Sequence, residues 1–425
     1  MRGPRTKSQE PGKKQNSCTG LKYFILPLIR CPTCFFLDSW FLTLGSWFLL
    51  LTIMKKIVPV TSKKELAAFI DFPHDLYKDD PNYVPELFIA QRDLLTKHPF
   101  HKHNSLQAFL AYDDDRIVGR ITAILNNGHN EFNKVNDGFW GFFDCINDQE
   151  TANLLFNTSS QWLKDKGVDQ KFIGPVNFST SEACGLLIEG FDSPPMLMMT
   201  YNYPYYAGLI EKAGFSKQID LIAWHWDGEG YDDRSVRLLD ALKERLKRNN
   251  IIIRSVNLKN FKEEAAKLRE VYNSAWDKNS GFVPLTNEEF DYLAKDLKLI
   301  LDTDFALVAE QEGKIVGFGL ALPNYDEIFK TIKRGRLLPT GIFKLLLNRK
   351  KIQSIRIYAL GIIDGYRKMG IEACLYGTII KEYKRKGFKH AEAGWTLENN
   401  TLINEAIIAI KGDPYKKYRL YEKVI

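Results

Sequence analysis

The residue types best suited to binding a charged ligand lie in a short segment, residues 364–373, which reads DGYRKMGIEA. It follows an apolar run typical of a strand and precedes a helical pattern that ends near Lys386. The first N–H groups of a helix have no partner within it, and that helix end carries partial positive charge. Arg367 and Lys368 add full charges beside these donors. The segment therefore predicts a phosphate or pyrophosphate site, the alternative being a plain strand-to-helix turn with two solvated basic residues.

The elements that must position this segment occur twice in the chain. Residues 109–123 and 306–320 each read as strand, polar turn and strand, and the tripeptide Ile-Val-Gly recurs in both at a spacing of 198 residues. A Lys-Gly pair that ends a helical pattern recurs after 220 residues. The second copy therefore carries an insertion of about 22 residues, which contains Gly335, Pro339 and the basic run 349–351.

Each copy reads as β–α(α)–β–β–β–α–β–α–β–β, which predicts an α/β fold (an α+β mixed sheet) with helices on both faces. A length of 425 residues exceeds one core and accommodates two domains, residues 54–230 and 231–425, after an extension at 1–53. A helix from about residue 234 to 248 connects the copies. No G-x-G-x-x-G or Walker A sequence occurs, which argues against dinucleotide redox chemistry and nucleotide hydrolysis.

The net charge of +7 lies mostly in residues 1–53, which hold seven Lys/Arg and two Asp/Glu. The other 372 residues hold 52 basic and 50 acidic groups, so no nucleic-acid partner is expected. The apolar run 35–53 is long enough for a membrane anchor, and a signal peptide is a second interpretation. The favoured interpretation is that translation starts at Met54 and that the upstream residues are an artefactual extension. A membrane partner is therefore expected only if residues 35–53 are an anchor. Six scattered Cys indicate a reducing compartment and a cytoplasmic location.

The basic segment also resembles a known family motif. Ile362-x-Asp364-x-Tyr366-Arg367-x-x-Gly370-Ile371 is similar to the coenzyme A pyrophosphate loop of GCN5-related N-acetyltransferases (GNAT), roughly V-x-P-x-[YF]-[RQ]-x-x-G-[IV]-[GA]. The resemblance covers residues 250–425 and, in weaker form, 54–226. The family's Pro is Asp364 here, and its second small residue is Glu372. The chain is thus identified as a tandem GNAT protein with a degenerate first domain.

The resemblance implies an acyltransferase that uses acetyl-CoA as co-substrate and no metal. A primary amine of a small-molecule or peptide acceptor would attack the thioester directly in a ternary complex. The implied coenzyme A contacts are Leu360, Gly361, Ile362, Arg367, Lys368, Met369, Gly370, Ile371, Glu372, Ala373, Asn399 and Asn400. The corresponding segment of the first copy, residues 145–150, has two acids and no Arg-x-x-Gly, so we predict that it does not bind coenzyme A.

The catalytic groups are less well indicated, because the family's usual Tyr position falls on Ala406 or Ile407. Tyr418, on a predicted terminal hairpin, is the candidate acid for the thiolate leaving group. Glu398 and Tyr358, beside and on the strands at the thioester, are candidate bases. Glu392 is a further one, and each of these residues also has a purely structural interpretation.

Two other clusters are open to more than one interpretation. Residues 196–206, rich in Met and Tyr, form either core or the wall of an acceptor groove. His98, His101 and His103 lie close together but have no acidic partner nearby in sequence, which argues against a metal site.

Two other functions are compatible with the same doubled fold. One is an aminoacyl transferase of the peptidoglycan-bridge type, and the other is a non-catalytic acyl-CoA-binding protein. Neither the acceptor, the acyl chain preference nor the oligomeric state is indicated by the residues.

Overall fold

The computed structural model describes residues 55–228, 238–275 and 282–425, with the side chain of Ser181 excepted. One compact unit spans Met54–Ile425. The apolar run 35–53, and with it the anchor interpretation, lies outside the described residues. Within the described ranges, none of the helices has both the length and the apolar character needed to cross a bilayer.

The first half begins with a strand and a helix and ends on a long strand. Its described strands are β1 (Lys56–Pro59), β2 (Ser105–Asp113), β3 (Arg116–Leu125), β4 (Gly138–Cys145), β5 (Lys171–Gly174), β6 (Val176–Asn177), β7 (Ser179–Cys184), β8 (Leu186–Glu189) and β9 (Ser216–Asp227). Its described helices are α1 (Lys63–Leu76), α2 (Phe88–Lys97), α3 (Asn127–Asn133), α4 (Gln149–Asp165) and α5 (Tyr205–Lys212), with a 3₁₀ turn at Pro99–Lys102.

The second half repeats this order after a connecting helix. Its described strands are β10 (Ile251–Ser255), β11 (Ala306–Gln311), β12 (Lys314–Pro323), β13 (Ser354–Ile362), β14 (His390–Leu397) and β15 (Asp413–Val424). Its described helices are α6 (Leu239–Lys247), α7 (Phe261–Ala275), α8 (Asn287–Ile300), α9 (Asp326–Phe329), α10 (Ile342–Asn348), α11 (Ile371–Lys386) and α12 (Thr401–Ala409). Shorter turns are 3₁₀ at Thr303–Phe305, Lys333–Gly335 and Arg349–Lys351, and π at Leu337–Gly341.

Thirteen of the described strands, from both halves, form one continuous sheet, and β6 and β7 form a separate two-stranded sheet. The order of the large sheet is β1-β2-β3-β4-β5-β15-β9-β14-β13-β12-β11-β10, with β8 paired to β15 off this path. The last strand of each half is therefore inserted beside the fifth strand of the other half: β15 pairs with β5, and β9 pairs with β14. The mixed α/β sheet and the two copies are confirmed, while the exchange of strands between them was not predicted.

The two predicted hairpins are present, and local backbone chemistry explains the second of them. In β11–β12, Gln311 faces Lys314 across a two-residue turn. Both turn residues, Glu312 and Gly313, have positive φ, at 52° and 83°. Such a turn matches the right-handed twist of the flanking strands, and Gly adopts it without strain.

The exchanged strand β15 contributes buried side chains to the cores on both of its faces. Tyr421 has no exposed surface and packs in a cluster with Trp140 and Phe215 of the first half. Tyr418, equally buried, packs on the opposite side with Leu221 and Ile173. The predicted terminal hairpin is therefore wrong, because β15 runs as one strand that fills the space between β5 and β9.

Candidate active site

A cleft opens in the sheet where β13 and β14 separate. The two strands are paired in parallel only from Ser354 to Ile357 on β13, opposite His390 to Ala393 on β14. At the same place β13 carries a bulge, because Ala359 and Ile357 face consecutive residues of β12 while Tyr358 has no partner. Beyond this point, the backbone N–H and C=O groups on the side of β13 that faces β14 have no partner in β14.

The basic segment 364–373 lies at the end of β13, as the sequence predicted. Gly365 and Gly370 have positive φ of 91° and 95°, values that side chains other than Gly rarely adopt. Gly370 is the N-cap of α11 and provides no side-chain hydrogen bond to the first N–H groups of that helix. Arg367 and Lys368 are exposed beside this helix end. The Arg367 guanidinium pairs with Asp364 at 3.3 Å and donates to the carbonyl oxygens of Ile362 and Ala275. The helix end itself fits a diphosphate group, because its first N–H groups lack a side-chain cap and two basic residues lie beside it.

Glu372 and the two Asn residues have distinct positions around this segment. Glu372 is partly buried. The pKa of Tyr376 is raised to about 12, chiefly by burial of its phenol and further by the charge of Glu372. Tyr376 and Asn400 line the cleft, and the Asn400 side chain accepts a hydrogen bond from the N–H of Ile403 at the start of α12. Asn399 faces a separate depression next to Leu420. Of the two predicted Asn contacts, only Asn400 is at the cleft.

The corresponding helix end in the first half is already occupied by protein groups. Asp148 caps α4 by accepting a hydrogen bond from the N–H of Thr151 at 2.7 Å. The Lys55 ammonium pairs with Asp148 at 2.6 Å and with Glu150 at 2.8 Å. This arrangement supports the prediction that the first copy does not bind coenzyme A, because two carboxylates stand where a diphosphate would have to enter.

An apolar pocket adjoins the cleft on the side of α7 and α8. Tyr272, Tyr358 and Ala359 line both the pocket and the cleft, so the two spaces meet at the bulge of β13. The rest of the pocket is aliphatic or aromatic, and includes Val256, Phe261, Ala265, Leu268, Phe290, Ala294, Leu307 and Phe318. Such a lining offers hydrogen-bonding groups only at its mouth, which suits a hydrocarbon chain.

A second cavity, of about 360 Å³, lies on the side of the cleft formed by the first half. Met198 and Glu182 line both this cavity and the cleft, and Leu293 and Leu297 of α8 separate it from the apolar pocket. We call it the acidic cavity, because its largely apolar and aromatic wall carries five carboxyl groups, those of Glu86, Asp144, Glu182, Asp296 and Asp326. Besides tyrosine hydroxyls, the other polar groups of the wall are those of Arg120, His74, His98 and Gln91. Tyr201, Met198 and Met199 also line it, so part of the Met/Tyr segment forms a cavity wall.

The acids of this cavity differ in how they are compensated. Asp144 forms an ion pair with Arg120 at 2.7 Å. Burial, followed by the charge of Glu86, raises the pKa of Asp326 to about 8. Burial raises the pKa of Glu86 as well. Asp326 is therefore mostly protonated at neutral pH, and an ammonium group entering the cavity would favour its ionised form. The hydrocarbon part of such a ligand would meet apolar walls.

Glu182 stands between the acidic cavity and the cleft. The Ser179 hydroxyl donates a hydrogen bond to its Oε2 at 2.7 Å. Burial raises the pKa of this carboxyl group to about 7, so it changes charge near neutral pH. Such a group can accept a proton from a substrate in the cleft. Glu182 was not singled out from the sequence, because it comes from the half that lacks the coenzyme A motif.

The three predicted catalytic residues are not brought together. Tyr358 lies at the mouth of the apolar pocket, where burial raises the pKa of its phenol and keeps it protonated. Tyr418 is fully buried in the core and lines none of the three spaces, and Glu398 pairs with Lys217 at 2.7 Å and accepts a hydrogen bond from the Asp220 N–H. We therefore remove Tyr418 and Glu398 from the candidates, because neither reaches the cleft.

Glu392, His98 and His101 have structural partners. The Arg356 guanidinium pairs with the fully buried Glu392 at 3.2 Å, and the Tyr415 hydroxyl donates to the same carboxylate. His98 Nδ1 accepts a hydrogen bond from the Phe100 N–H, whereas His101 Nε2 contacts the Leu94 carbonyl oxygen.

Two sequence relatives match most of the chain. It is 38% identical over 373 residues to the protein YghO of Escherichia coli, with 86% of this chain and 94% of that protein covered. It is 33% identical over 382 residues to the bacterial ceramide synthase of Caulobacter vibrioides, with 87% of this chain and 97% of that protein covered. The chain therefore belongs to the same family as these two proteins. No family model matches it.

Solved structures identify the fold of the chain. A tandem GNAT protein from the clavulanic acid biosynthesis pathway matches with a TM-score of 0.53 at 10% identity, over 87% of this chain and 98% of that chain. The predicted tandem GNAT architecture of this chain is thus confirmed.

Proposed function

We propose that the chain is an acyl-CoA-dependent N-acyltransferase that forms an amide on the primary amine of a single-chain amphiphile. The observation that carries this proposal is the position of Glu182, between the acidic cavity and the cleft at which β13 and β14 separate. The proposal keeps the N-acyl transfer expected from the sequence and assigns each substrate to a separate space.

The donor side is supported by the basic segment, the cleft and the apolar pocket. Acyl-CoA supplies the acyl group as a thioester. The uncapped start of α11, with Arg367 and Lys368, would hold the diphosphate, and the cleft would hold the thioester arm. The apolar pocket then favours an acyl chain longer than the acetyl group expected from the family resemblance, because acetyl would leave this lining empty.

The acceptor side is supported by the acidic cavity and by the name of one relative. A ceramide is an amide of a fatty acid with a long-chain amino alcohol, and the Caulobacter relative is named a ceramide synthase. The acidic cavity combines carboxyl groups with an apolar wall, as the recognition of a long-chain amine requires. We therefore assign a long-chain amine or amino alcohol as the acceptor class.

The residues around the cleft can perform the proton transfers that amide formation needs. Glu182 accepts a proton from the acceptor ammonium, so that the free nitrogen can attack the thioester carbon. Backbone groups of residues 358–360, unpaired on the side of β14, hold the carbonyl oxygen as negative charge develops on it. As the C–S bond breaks, the protonated hydroxyl of Tyr358 or Tyr376 at the cleft donates to the departing sulfur. The attacking nitrogen then loses its second proton to this phenolate, and Glu182 releases the first proton to solvent, so the products are the neutral amide and the free thiol.

The proposal is tested with purified full-length chain and two substrate series. Saturated acyl-CoA thioesters from two to eighteen carbons would be combined with long-chain amino alcohols, short amines and a peptide amine, and free thiol and amide product measured. We expect turnover to be highest with a long acyl chain and a long-chain amine. Binding of acyl-CoA without any turnover would support the non-catalytic alternative instead. Turnover confined to acetyl-CoA or to short amines would contradict the assigned substrate classes.

A further inference from the structure

The segment inserted between β12 and β13 presents apolar side chains to solvent. Leu338, Phe343, Leu346 and Leu347 have exposed fractions of 77%, 62%, 68% and 76%. They fall within ten residues, on the π turn and α10, whereas isolated exposed apolar residues are normal on a protein surface. We call residues 330–351 the apolar-basic segment.

The segment is also strongly basic. Residues 330–351 contain eight Lys/Arg and no Asp/Glu. Lys333, Lys350 and Lys351 are exposed, and within the described residues none of them has a carboxylate partner. Apolar side chains flanked by unpaired cations are the pattern of a surface that meets the interface of an anionic bilayer.

The segment is held rigidly against the first half, so these side chains are presented in a fixed position. Arg336 pairs with Asp71 at 2.7 Å, and Arg334 pairs with Asp75 at 2.5 Å. A Cβ atom at Gly335 would lie 1.8 Å from the carbonyl oxygen of Glu86, so the backbones touch there and only Gly fits.

The same contacts place the segment next to the acidic cavity. Glu86 and Leu87 line that cavity, and both contact Gly335. Phe329 of α9, just before the segment, lines the cavity as well.

We propose that the apolar-basic segment docks the protein onto an anionic lipid bilayer, with Phe343, Leu346 and Leu347 inserted among the acyl chains. We choose an anionic bilayer as the partner because the segment has basic residues and no acidic ones. A bilayer of anionic lipid offers many negative headgroups to the lysines at once. Docking does not require the proposed function. If that function also holds, the bilayer is the source from which the long-chain amine enters the acidic cavity.

The test measures binding of the full-length chain to sedimented vesicles, without any enzymatic readout. Vesicles of phosphatidylcholine are compared with vesicles that contain about 30% phosphatidylglycerol, at low and high salt. We expect binding to the anionic vesicles only, weakened by salt. Both F343S/L346S/L347S and K350E/K351E should reduce the partition coefficient by about tenfold or more.

Matched variants control for nonspecific effects. L299S and L402S each remove an exposed apolar side chain elsewhere, and K63E/K64E reverses two exposed charges on α1. All three should bind vesicles as the unchanged protein does, and circular dichroism should show every variant folded.

Three outcomes would overturn the proposal. The first is failure of the unchanged protein to bind anionic vesicles. The second is binding that survives in both segment variants, which would assign the membrane contact to residues 35–53. The third is a dimer in solution that F343S/L346S/L347S converts to monomer, which would make the segment an interface between copies.

Discussion

The Nε2 atom of His98 lies 4.0 Å from Oε1 of Glu182, across the boundary between the acidic cavity and the cleft. Because His98 Nδ1 accepts a hydrogen bond from the Phe100 N–H, the imidazole carries its proton on Nε2, towards the carboxylate. Burial lowers the pKa of His98 to about 4, so the ring stays neutral over the working range of pH. Glu182 is thus the titrating member of this pair near pH 7.

The first prediction concerns Glu182 as proton acceptor. Glu182→Gln should lower kcat by about 10² to 10⁴, because the amide cannot accept the amine proton. In the unchanged protein, kcat/KM should rise with pH through about 7, as the carboxyl group loses its proton, and this limb should vanish in the variant. Steady-state kinetics from pH 5 to 9 check both. A variant that keeps the limb would assign the proton transfer to another group.

The second prediction concerns acyl chain length. Ala294 is buried on α8 and lines the apolar pocket, so Ala294→Phe should fill the pocket. Turnover with long-chain acyl-CoA should fall by about tenfold or more, because overpacking excludes the distal carbons, while acetyl-CoA turnover is kept as the internal control. Ala294→Val should reduce the longest acyl chain that is accepted by a smaller amount. Equal losses for short and long donors would show that the pocket does not hold the chain.

The third prediction concerns the diphosphate contact. Arg367→Glu should weaken binding of coenzyme A by about tenfold or more, because it replaces a positive charge beside the start of α11 with a negative one. Arg116→Glu reverses another exposed charge, at the β2–β3 turn of the first half, and should leave affinity unchanged. Calorimetric titration with coenzyme A measures both. Loss of affinity only in the Arg116 variant would place the cofactor in the first half.

The fourth prediction concerns Asp326. Its folded-state pKa of about 8 lies above the ordinary 3.8, so the folded protein retains a proton that the unfolded chain releases between these values. This residue therefore makes stability fall as pH rises from about 4 to 8. Asp326→Asn should match the unchanged protein at pH 4 and exceed it by about 1–3 kcal/mol at pH 9 in denaturant unfolding. At pH 9, where Asp326 is ionised, the same variant should also raise KM for the amine, because the cavity loses a carboxylate. An unchanged KM at that pH would place the amine elsewhere.

The fifth prediction concerns the exchanged strand. Removing residues 413–425 should abolish cooperative unfolding of both halves, because β15 pairs with β5 of the first half and covers β9. Val424→Ser, at an exposed position of the same strand, should change stability by no more than about 0.5 kcal/mol. Calorimetry and hydrogen exchange monitor the two halves separately. A stable first half in the truncated chain would show that the exchange is dispensable.

Local sequence patterns predicted the strands and loops of the site, but they did not predict which distant residues these elements contact. The hairpin at 306–320 and the loop 364–370 are encoded by nearby residues, namely alternating apolar positions and glycines at positive φ. Glu182 could not be found this way, because its raised pKa arises from burial between two halves that meet only in the folded sheet. Tyr418 was misplaced for the same reason: its strand looked like one arm of a local hairpin, but its neighbours come from residues 171–227.

The position of β15 has a consequence for how the molecule is made. A ribosome releases β1 to β14 before it releases β15, so β5 and β9 leave the exit tunnel with an edge that no available strand can cover. The first half must wait in an incomplete state while the second is being synthesised. Unpaired strand edges of this kind favour aggregation, so the nascent chain should be most prone to it before β15 takes its place between β5 and β9.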